Sequence, residues 1–160
     1  MRASAALVAA RVGSERVTVG NVVVQSTNIR DAAALVAVSN STTVVISNVT
    51  LRDITASGDG AVVSTVNVRG VVLASALTVR NSSVVGGVLR CERVRGGVLV
   101  SELDVDDARG GMFDVGEHCV VRVSRAAVAN VRGHASLARV RADGVLVLGA
   151  DVGIADAFDS

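Results

Sequence analysis

Five acidic side chains lie close together in the second half of the chain and are the first candidates for chemistry. They are Asp104, Asp106, Asp107, Asp114 and Glu117. Hydrolysis of a glycosidic bond requires two carboxyl groups on opposite sides of the scissile bond. His134, Arg139 and Arg141 follow within one repeat length. A carbohydrate-active site is therefore the first hypothesis to weigh.

The details depart from the pattern of a polygalacturonase, which combines an Asp pair with Gly-His-Gly and Arg-x-Lys. Here His134 is followed by Ala135, and all 16 basic residues are arginine. The chain has two Phe and no Trp or Tyr to face a sugar ring. A solvated outer face explains the charges without catalysis. We therefore predict that the chain is not an enzyme, and the alternative is a degenerate or fragmentary β-helix enzyme of the pectate lyase or polygalacturonase type.

Two cysteines, Cys91 and Cys119, are separated by close to one repeat length. In an oxidising compartment they could form a disulfide, because neighbouring repeats approach within bonding distance. Their positions within the repeat differ, so we expect free buried thiols and keep the disulfide as the alternative. A zinc site formed with His118 would need more ligands at closer spacing. We predict no metal and no cofactor.

Three N-glycosylation sequons begin at Asn40, Asn48 and Asn81. Asn40 lies in a polar run before a strand and is the best acceptor. Asn48 shares a repeat position with Asn21, and Asn81 falls in a column of turn residues. Either of these two could instead pair with the residue above or below it in a polar ladder.

The composition predicts a globular β protein. The 160 residues include 36 valines, 16 glycines and no proline, and so many β-branched side chains favour strands over a helical bundle or disorder. The net charge is +1, so no strong field directs the chain to nucleic acid. No apolar run is long enough to cross a bilayer. We predict no nucleic-acid partner and no membrane contact by this segment.

A repeated strand is the most informative feature of the sequence. Its six copies begin at Val17, Val44, Val71, Val98, Val121 and Val145, so the last two intervals are slightly shorter than the first three. A second strand follows each copy and a third precedes it, with apolar residues tending to alternate. We predict an all-β fold, a right-handed parallel β-helix of about six rungs. Each rung has roughly 23–28 residues and three short strands, a period within the range of solenoid repeats.

The corners between strands carry turn-forming residues. A small residue separates the two later strands of most rungs: Gly20, Ser47, Ala74, Ser101 and Ser124, with Leu148 in the sixth. After the last strand come Ser26, Asp53, Asn81, Asp107 and Asn130, whose side chains bond to nearby backbone in turns. Stacked between rungs, these side chains are expected to form polar ladders. The glycine pairs at 86–87, 96–97 and 110–111 and the Asp-Gly steps at 59–60 and 143–144 are expected to mark corners that need positive φ.

Neither end of the sequence reads as a polar cap, although repeat coils normally need one. We therefore expect residues 1–160 to be a single β-helix segment with uncapped ends, part of a longer β-helix.

Three segments resemble one protein family: Asn48-Val-Thr-Leu-Arg-Asp, Leu77-Thr-Val-Arg-Asn-Ser-Ser and Gly87-Val-Leu-Arg-Cys-Glu. They are similar to the dispersed gene family surface proteins of trypanosomatid parasites. That resemblance implies an internal segment of a very large, membrane-anchored, adhesin-like glycoprotein with a repetitive β-rich ectodomain. It also implies a cell-surface location, host surface or matrix ligands for the parent protein, and further β-helix rungs in cis. It assigns no catalytic residue to this sequence.

Overall fold

The chain folds into a coil of parallel strands in its computed structural model, which describes residues 8–11, 15–29, 34–56, 61–84, 86–132 and 138–155. Strands account for 76% of the structure, and the described residues contain no helix. The parallel sheets form a β-solenoid of about five turns, the architecture of a parallel β-helix. The predicted fold class is therefore confirmed. A rung below means one circuit of this coil.

One side of the coil is a six-stranded parallel sheet, sheet A. Its strands stack in chain order because each circuit returns the chain directly above the previous rung. They are β1 (Val8–Arg11), β4 (Val36–Ser39), β7 (Val63–Val66), β9 (Leu89–Glu92), β11 (Phe113–Val115) and β13 (Ala138–Val140).

The other two sides belong to an eight-stranded parallel sheet, sheet B. Six long strands form it: β2 (Arg16–Gln25), β5 (Thr43–Arg52), β8 (Val72–Val84), β10 (Val94–Gly110), β12 (Cys119–Arg132) and β14 (Val145–Ala155). Two short strands, β3 (Asn28–Ile29) and β6 (Thr55–Ala56), complete it. Each long strand contains both of the predicted later strands, joined across a bend. The two later strands, predicted as separate, thus run together as one strand in each rung.

The register between strands confirms most of the predicted stacking and moves two of the six copies of the repeated strand by one residue. Val100 pairs with Val123, and Val105 pairs with Val128, as expected. Val44, however, pairs with Val72 rather than Val71. Likewise, Val121 pairs with Leu146 rather than Val145. Both errors fall in runs of consecutive apolar residues, where alternation does not reveal which side chain faces inward.

The column of small corner residues shifts by one residue at the same two rungs. Ser47 pairs with Ser75, whereas the predicted Ala74 is buried in the core. At the last rung Leu148 pairs with Val123, and a Cβ on Gly149 would lie 3.0 Å from the Val123 carbonyl oxygen. Gly149, and not the predicted Leu148, therefore occupies the small-residue position of this rung.

Three columns of residues with positive φ mark three corners, with φ between 44° and 62°. Corner 1, the bend inside the long strands, contains Asn21, Asn48, Ala76 and Glu102. Corner 2, at or near the ends of these strands, contains the predicted turn residues Ser26, Asp53, Asn81, Asp107 and Asn130. Corner 3, between sheet A and the next long strand, contains Asn40, Asn67, Arg93, His118 and Asp143. Asparagine and aspartate tolerate this conformation better than most other residues.

Glycine supplies positive φ at one position of each predicted pair, at Gly87, Gly97 and Gly110. The predicted corner at Asp59-Gly60 lies outside the described residues.

The core is a stack of aliphatic side chains enclosed by the three sides. Val44, Val72, Val98 and Val121 form one inward column, and each is 0% exposed. Parallel columns of valine and leucine run beside it. This packed interior fixes the position of each backbone corner along the coil axis. It therefore also fixes the positions of the exposed polar side chains at the corners.

Candidate functional site

The acidic cluster is divided between two sheets and is largely engaged in ion pairs. Asp104 and Asp106 on β10 both contact the guanidinium of Arg80 on β8, one rung away, with Asp106 at 2.7 Å. Asp107 takes positive φ at corner 2. Glu117 is exposed near corner 3. These ion pairs hold two rungs together, because the guanidinium of Arg80 on one rung binds both carboxylates of the next rung.

Asp106 is hydrogen-bonded on both carboxylate oxygens. Nδ2 of Asn130 donates to Oδ1 at 2.8 Å, and the Arg80 guanidinium donates to Oδ2. These two bonds lower the pKa of Asp106 below its ordinary value of 3.8. Because the pKa of Asp106 is lower in the folded chain than in the unfolded chain, the ionised carboxylate stabilises the fold at every pH above its unfolded-state pKa. That contribution disappears as the pH falls through the folded-state pKa.

We therefore expect the melting temperature of Asp106→Asn to be below that of the unmodified chain near pH 6. The difference should shrink toward zero as the pH falls below 3.8. Thermal melts followed by circular dichroism across this pH range measure it. A difference that stays constant to pH 2 would show that the ionised carboxylate is not the stabilising species.

Asp114 on β11 is the least exposed carboxylate of the cluster, with 12% of its side chain accessible. Its Oδ2 accepts a hydrogen bond from Arg141 at 3.1 Å and lies 3.7 Å from Nε of Arg90. Its Oδ1 is buried and has no hydrogen-bond partner among the described residues. Two arginines therefore neutralise this carboxylate, with one oxygen left unbonded. His134, which was weighed with it in the polygalacturonase comparison, lies outside the described residues.

Cys91 and Cys119 form a disulfide, with their Cα atoms 6.3 Å apart. The expectation of free thiols is therefore not met. Cys91 is on β9 of sheet A, whereas Cys119 begins β12 on the adjacent side, one rung further along. Both side chains point inward and are 0% exposed. The different positions in the repeat do not prevent bonding, because the bond crosses the inside of corner 3.

The three sequon asparagines all lie at corners, in two different environments. Nδ2 of Asn48 donates to Oδ1 of Asn21 at 2.7 Å, and Nδ2 of Asn81 donates to Oδ1 of Asp53 at 2.5 Å. Both pairs are the expected ladders between rungs. Asn40 is exposed at corner 3, and its side chain makes no hydrogen bond within the described part of the chain. Its amide is the one available for modification without loss of a ladder contact.

When the chain is secreted from a glycosylating eukaryotic cell, we expect a glycan on Asn40 and none on Asn48 or Asn81. Asn40→Gln should then abolish the glycan-dependent mass, and Asn81→Gln should leave it unchanged. Intact-mass measurement before and after enzymatic glycan removal distinguishes the two variants. A glycan retained on Asn40→Gln would contradict the assignment.

A groove of about 520 Å³ runs along corner 3. Four of its lining residues are the positive-φ residues of successive rungs, Asn40, Asn67, Arg93 and His118. The others are Val68, Arg69 and Arg95. Rungs are spaced about 4.8 Å apart, so the four rungs give the groove a length of about 14 Å. We call it the corner-3 groove.

Arg69 and Arg95 occupy equivalent positions on neighbouring rungs beside this corner. The backbone N–H of Arg69 donates to the Ser41 carbonyl at 2.9 Å, and that of Arg95 donates to the Val68 carbonyl at 3.0 Å. Both side chains are exposed. Neither guanidinium has an ion-pair or hydrogen-bond partner among the residues that the structure describes. They form a short row of unneutralised positive charge.

A glycine follows each of these arginines and allows the rungs to approach closely. A Cβ on Gly70 would lie 2.4 Å from the Thr42 carbonyl oxygen, and one on Gly96 would lie 2.6 Å from the Gly70 carbonyl. This row of arginines was not predicted from the sequence. Its signal was the repetition of Val68-Arg69-Gly70 as Val94-Arg95-Gly96, one repeat length further along the chain.

The disulfide lies at one end of the corner-3 groove. Arg93 follows Cys91 by two residues, and His118 immediately precedes Cys119. The backbone N–H of Arg93 also donates to the Glu117 carbonyl at 2.8 Å. A covalent bond and a hydrogen bond thus hold two of the four rungs of the groove together.

The described residues contain no group of three or more His, Cys, Asp or Glu side chains placed to hold a metal ion. Among the same residues, no helix has the length and apolar character needed to span a bilayer.

No family model, curated protein or solved structure matches this chain, so its function has to be inferred from the geometry above.

Proposed function

We propose that this chain is a non-catalytic segment of a cell-surface protein, a stiff β-helix that presents adhesive side chains at its corners. The observation that supports this most directly is that its charged side chains form ion pairs between rungs. Arg80 with Asp104 and Asp106, and Arg125 with Glu102, pair between adjacent rungs. Side chains used in this way reinforce a rod and leave few carboxylates for acid–base chemistry.

The Cys91–Cys119 disulfide supports an extracellular location. Disulfides persist in secreted and surface proteins and are rare in a reducing cytosol. In protein taken directly from the source cell under acid quench, the two cysteines should resist alkylation until a reductant is added. Immediate alkylation of both would contradict the location.

The resemblance to the trypanosomatid dispersed gene family supports the remaining parts of the proposal. In this role the chain is one part of a membrane-anchored glycoprotein, with further β-helix rungs in cis. Its parent protein binds host surface or matrix ligands. The exposed corners supply variable side chains, while the buried valine columns keep the rod unchanged.

Antibody labelling of the cells that produce the chain tests the location. An antibody raised against residues 86–132 should label intact cells as strongly as permeabilised cells. An antibody against a cytosolic protein, used on the same cells, should label only after permeabilisation. Labelling by the first antibody that requires permeabilisation would overturn the surface assignment.

The alternative, a degenerate carbohydrate-active enzyme, has one supporting observation, the unbonded Oδ1 of buried Asp114. Incubation with polygalacturonate and measurement of new reducing ends tests it. The surface proposal predicts no release above that of Asp114→Asn. Release by the unmodified chain that is lost in Asp114→Asn would favour the enzyme.

A further inference from the structure

We propose that the corner-3 groove is a binding site for a sulfated, linear acidic polysaccharide. The proposal deepens the adhesive role above and depends on it only for the setting in which such a ligand is met. The first observation that supports this site is the charge of the residues that line the groove. The seven lining residues include three arginines and one histidine and no carboxylate. The chain as a whole has a net charge of only +1, so this concentration of cations is local.

Several arginines outside the groove are neutralised by carboxylates. Arg80, Arg90, Arg125 and Arg141 each contact a carboxylate on a neighbouring rung. Within the groove, Arg93 contacts Glu92 at 2.6 Å, which leaves Arg69 and Arg95 as its unneutralised guanidiniums. A planar guanidinium presents a fork of donors that matches the oxygens of a sulfate or carboxylate group.

The shape of the groove favours an extended ligand over a single ion. The donors repeat at the rung spacing of about 4.8 Å along a line of about 14 Å. Asn67 and His118 add side chains capable of hydrogen bonding to hydroxyl groups along the same line. An inorganic anion would contact one rung or two, whereas a chain of acidic sugars would contact the three rungs of Asn67, Arg93 and His118, beyond the glycosylation position at Asn40.

Composition argues against nucleic acid as the occupant. Single-stranded nucleic acid is held largely by stacking of its bases on aromatic side chains. The lining residues include no aromatic ring other than His118, and Phe113 is 3% exposed in the core. Recognition here would rest on charge and hydrogen bonds, as expected for a sulfated sugar chain.

The chain contains a matched control for the arginine row. Arg109 pairs in register with Arg132 on the next rung, and both side chains are exposed. They form a second pair of adjacent arginines outside the groove. The double variants Arg69→Ala/Arg95→Ala and Arg109→Ala/Arg132→Ala therefore remove the same charge, from exposed sites on the same coil.

The test uses protein from an oxidising, non-glycosylating bacterial periplasm, so that the disulfide forms and Asn40 carries no glycan. Calorimetry or a fluorescence titration with a heparin octasaccharide in 0.1 M salt (~10 Å screening length) measures the affinity. We expect the groove variant to lose about tenfold or more, which corresponds to ~1.4 kcal/mol. The control variant should change about threefold or less. Circular dichroism melts should show that both variants remain folded.

Several outcomes would overturn the proposal: no binding by the unmodified chain, equal losses in the two double variants, or equal affinity for the chemically desulfated octasaccharide. Tighter binding of single-stranded DNA than of the octasaccharide would assign the groove to nucleic acid instead. Displacement of the octasaccharide by millimolar inorganic sulfate at constant ionic strength would reduce it to a simple anion site. None of these results depends on intact-cell labelling, so the groove and the surface location can fail separately.

Discussion

Val100→Asp is expected to unfold much of the coil. Val100 is 2% exposed and lies between Ala74 and Val123 on the neighbouring rungs. An aspartate there places an unpaired carboxylate in an aliphatic column, and we expect a loss of about 4 kcal/mol or more. For a chain of this size that is a fall in melting temperature of at least ~10 °C. Because each rung contacts only its neighbours, the damage should spread to both sides.

Leu99→Asp is the matched control for this substitution. Leu99 is the adjacent residue of the same strand, but its side chain points outward and is 44% exposed. It pairs with Arg122 on the next rung, so an added carboxylate gains a nearby cation. We expect its melting curve to stay within a few degrees of the unmodified chain. If the two variants melted alike, the inward assignment of Val100 would be wrong.

Removal of the disulfide is the second change with a large expected effect. The bond joins residues 28 apart in sequence. Closing a loop of that length in the unfolded chain is worth about 3–4 kcal/mol. Cys91→Ala/Cys119→Ala should therefore lower the melting temperature by roughly 10 °C. Alanine is the better replacement because a serine hydroxyl would add a buried polar group.

Reduction supplies an independent check on the same bond. The unmodified chain should melt at a lower temperature with reductant present, whereas the double variant should be insensitive to it. Each single variant should resemble the double variant, because either change removes the cross-link. If reductant left the melting temperature of the unmodified chain unchanged, the bond would not contribute to stability.

The sequence was sufficient to predict the parallel coil because the same residue types recur one above another. The alternation at Leu103-Asp104-Val105 and the turn residues of corner 2 each identify a fixed place in the rung. The one-residue errors at Val71 and Val145 have a physical cause. In Val71-Val72 and in Val145-Leu146-Val147 neighbouring side chains are equally apolar, so the inward face depends on packing that a single strand does not reveal.

The disulfide and the corner-3 groove were harder to predict because they depend on contacts between different sides of the coil. The Cys91–Cys119 bond crosses a corner, and comparison of positions along one repeat does not reveal this distance. The corner-3 groove combines the positive-φ column with the separate column of Arg69 and Arg95. To recognise the groove from the sequence, one would have to align Val68-Arg69-Gly70 with Val94-Arg95-Gly96. One would also have to know that the positive-φ column of corner 3 lies beside these arginines.

The direction of the hydrogen bonds also determines how the coil would respond to mechanical tension. The bonds between rungs run along the coil axis, so a pull on its two ends opens one rung at a time instead of shearing many bonds together. The Cys91–Cys119 cross-link encloses a 28-residue segment that cannot lengthen. About 95 Å of extended chain therefore stays folded away under load. Under load, the outer rungs would unravel and absorb extension while the disulfide keeps Arg93 and His118 close together at the end of the groove.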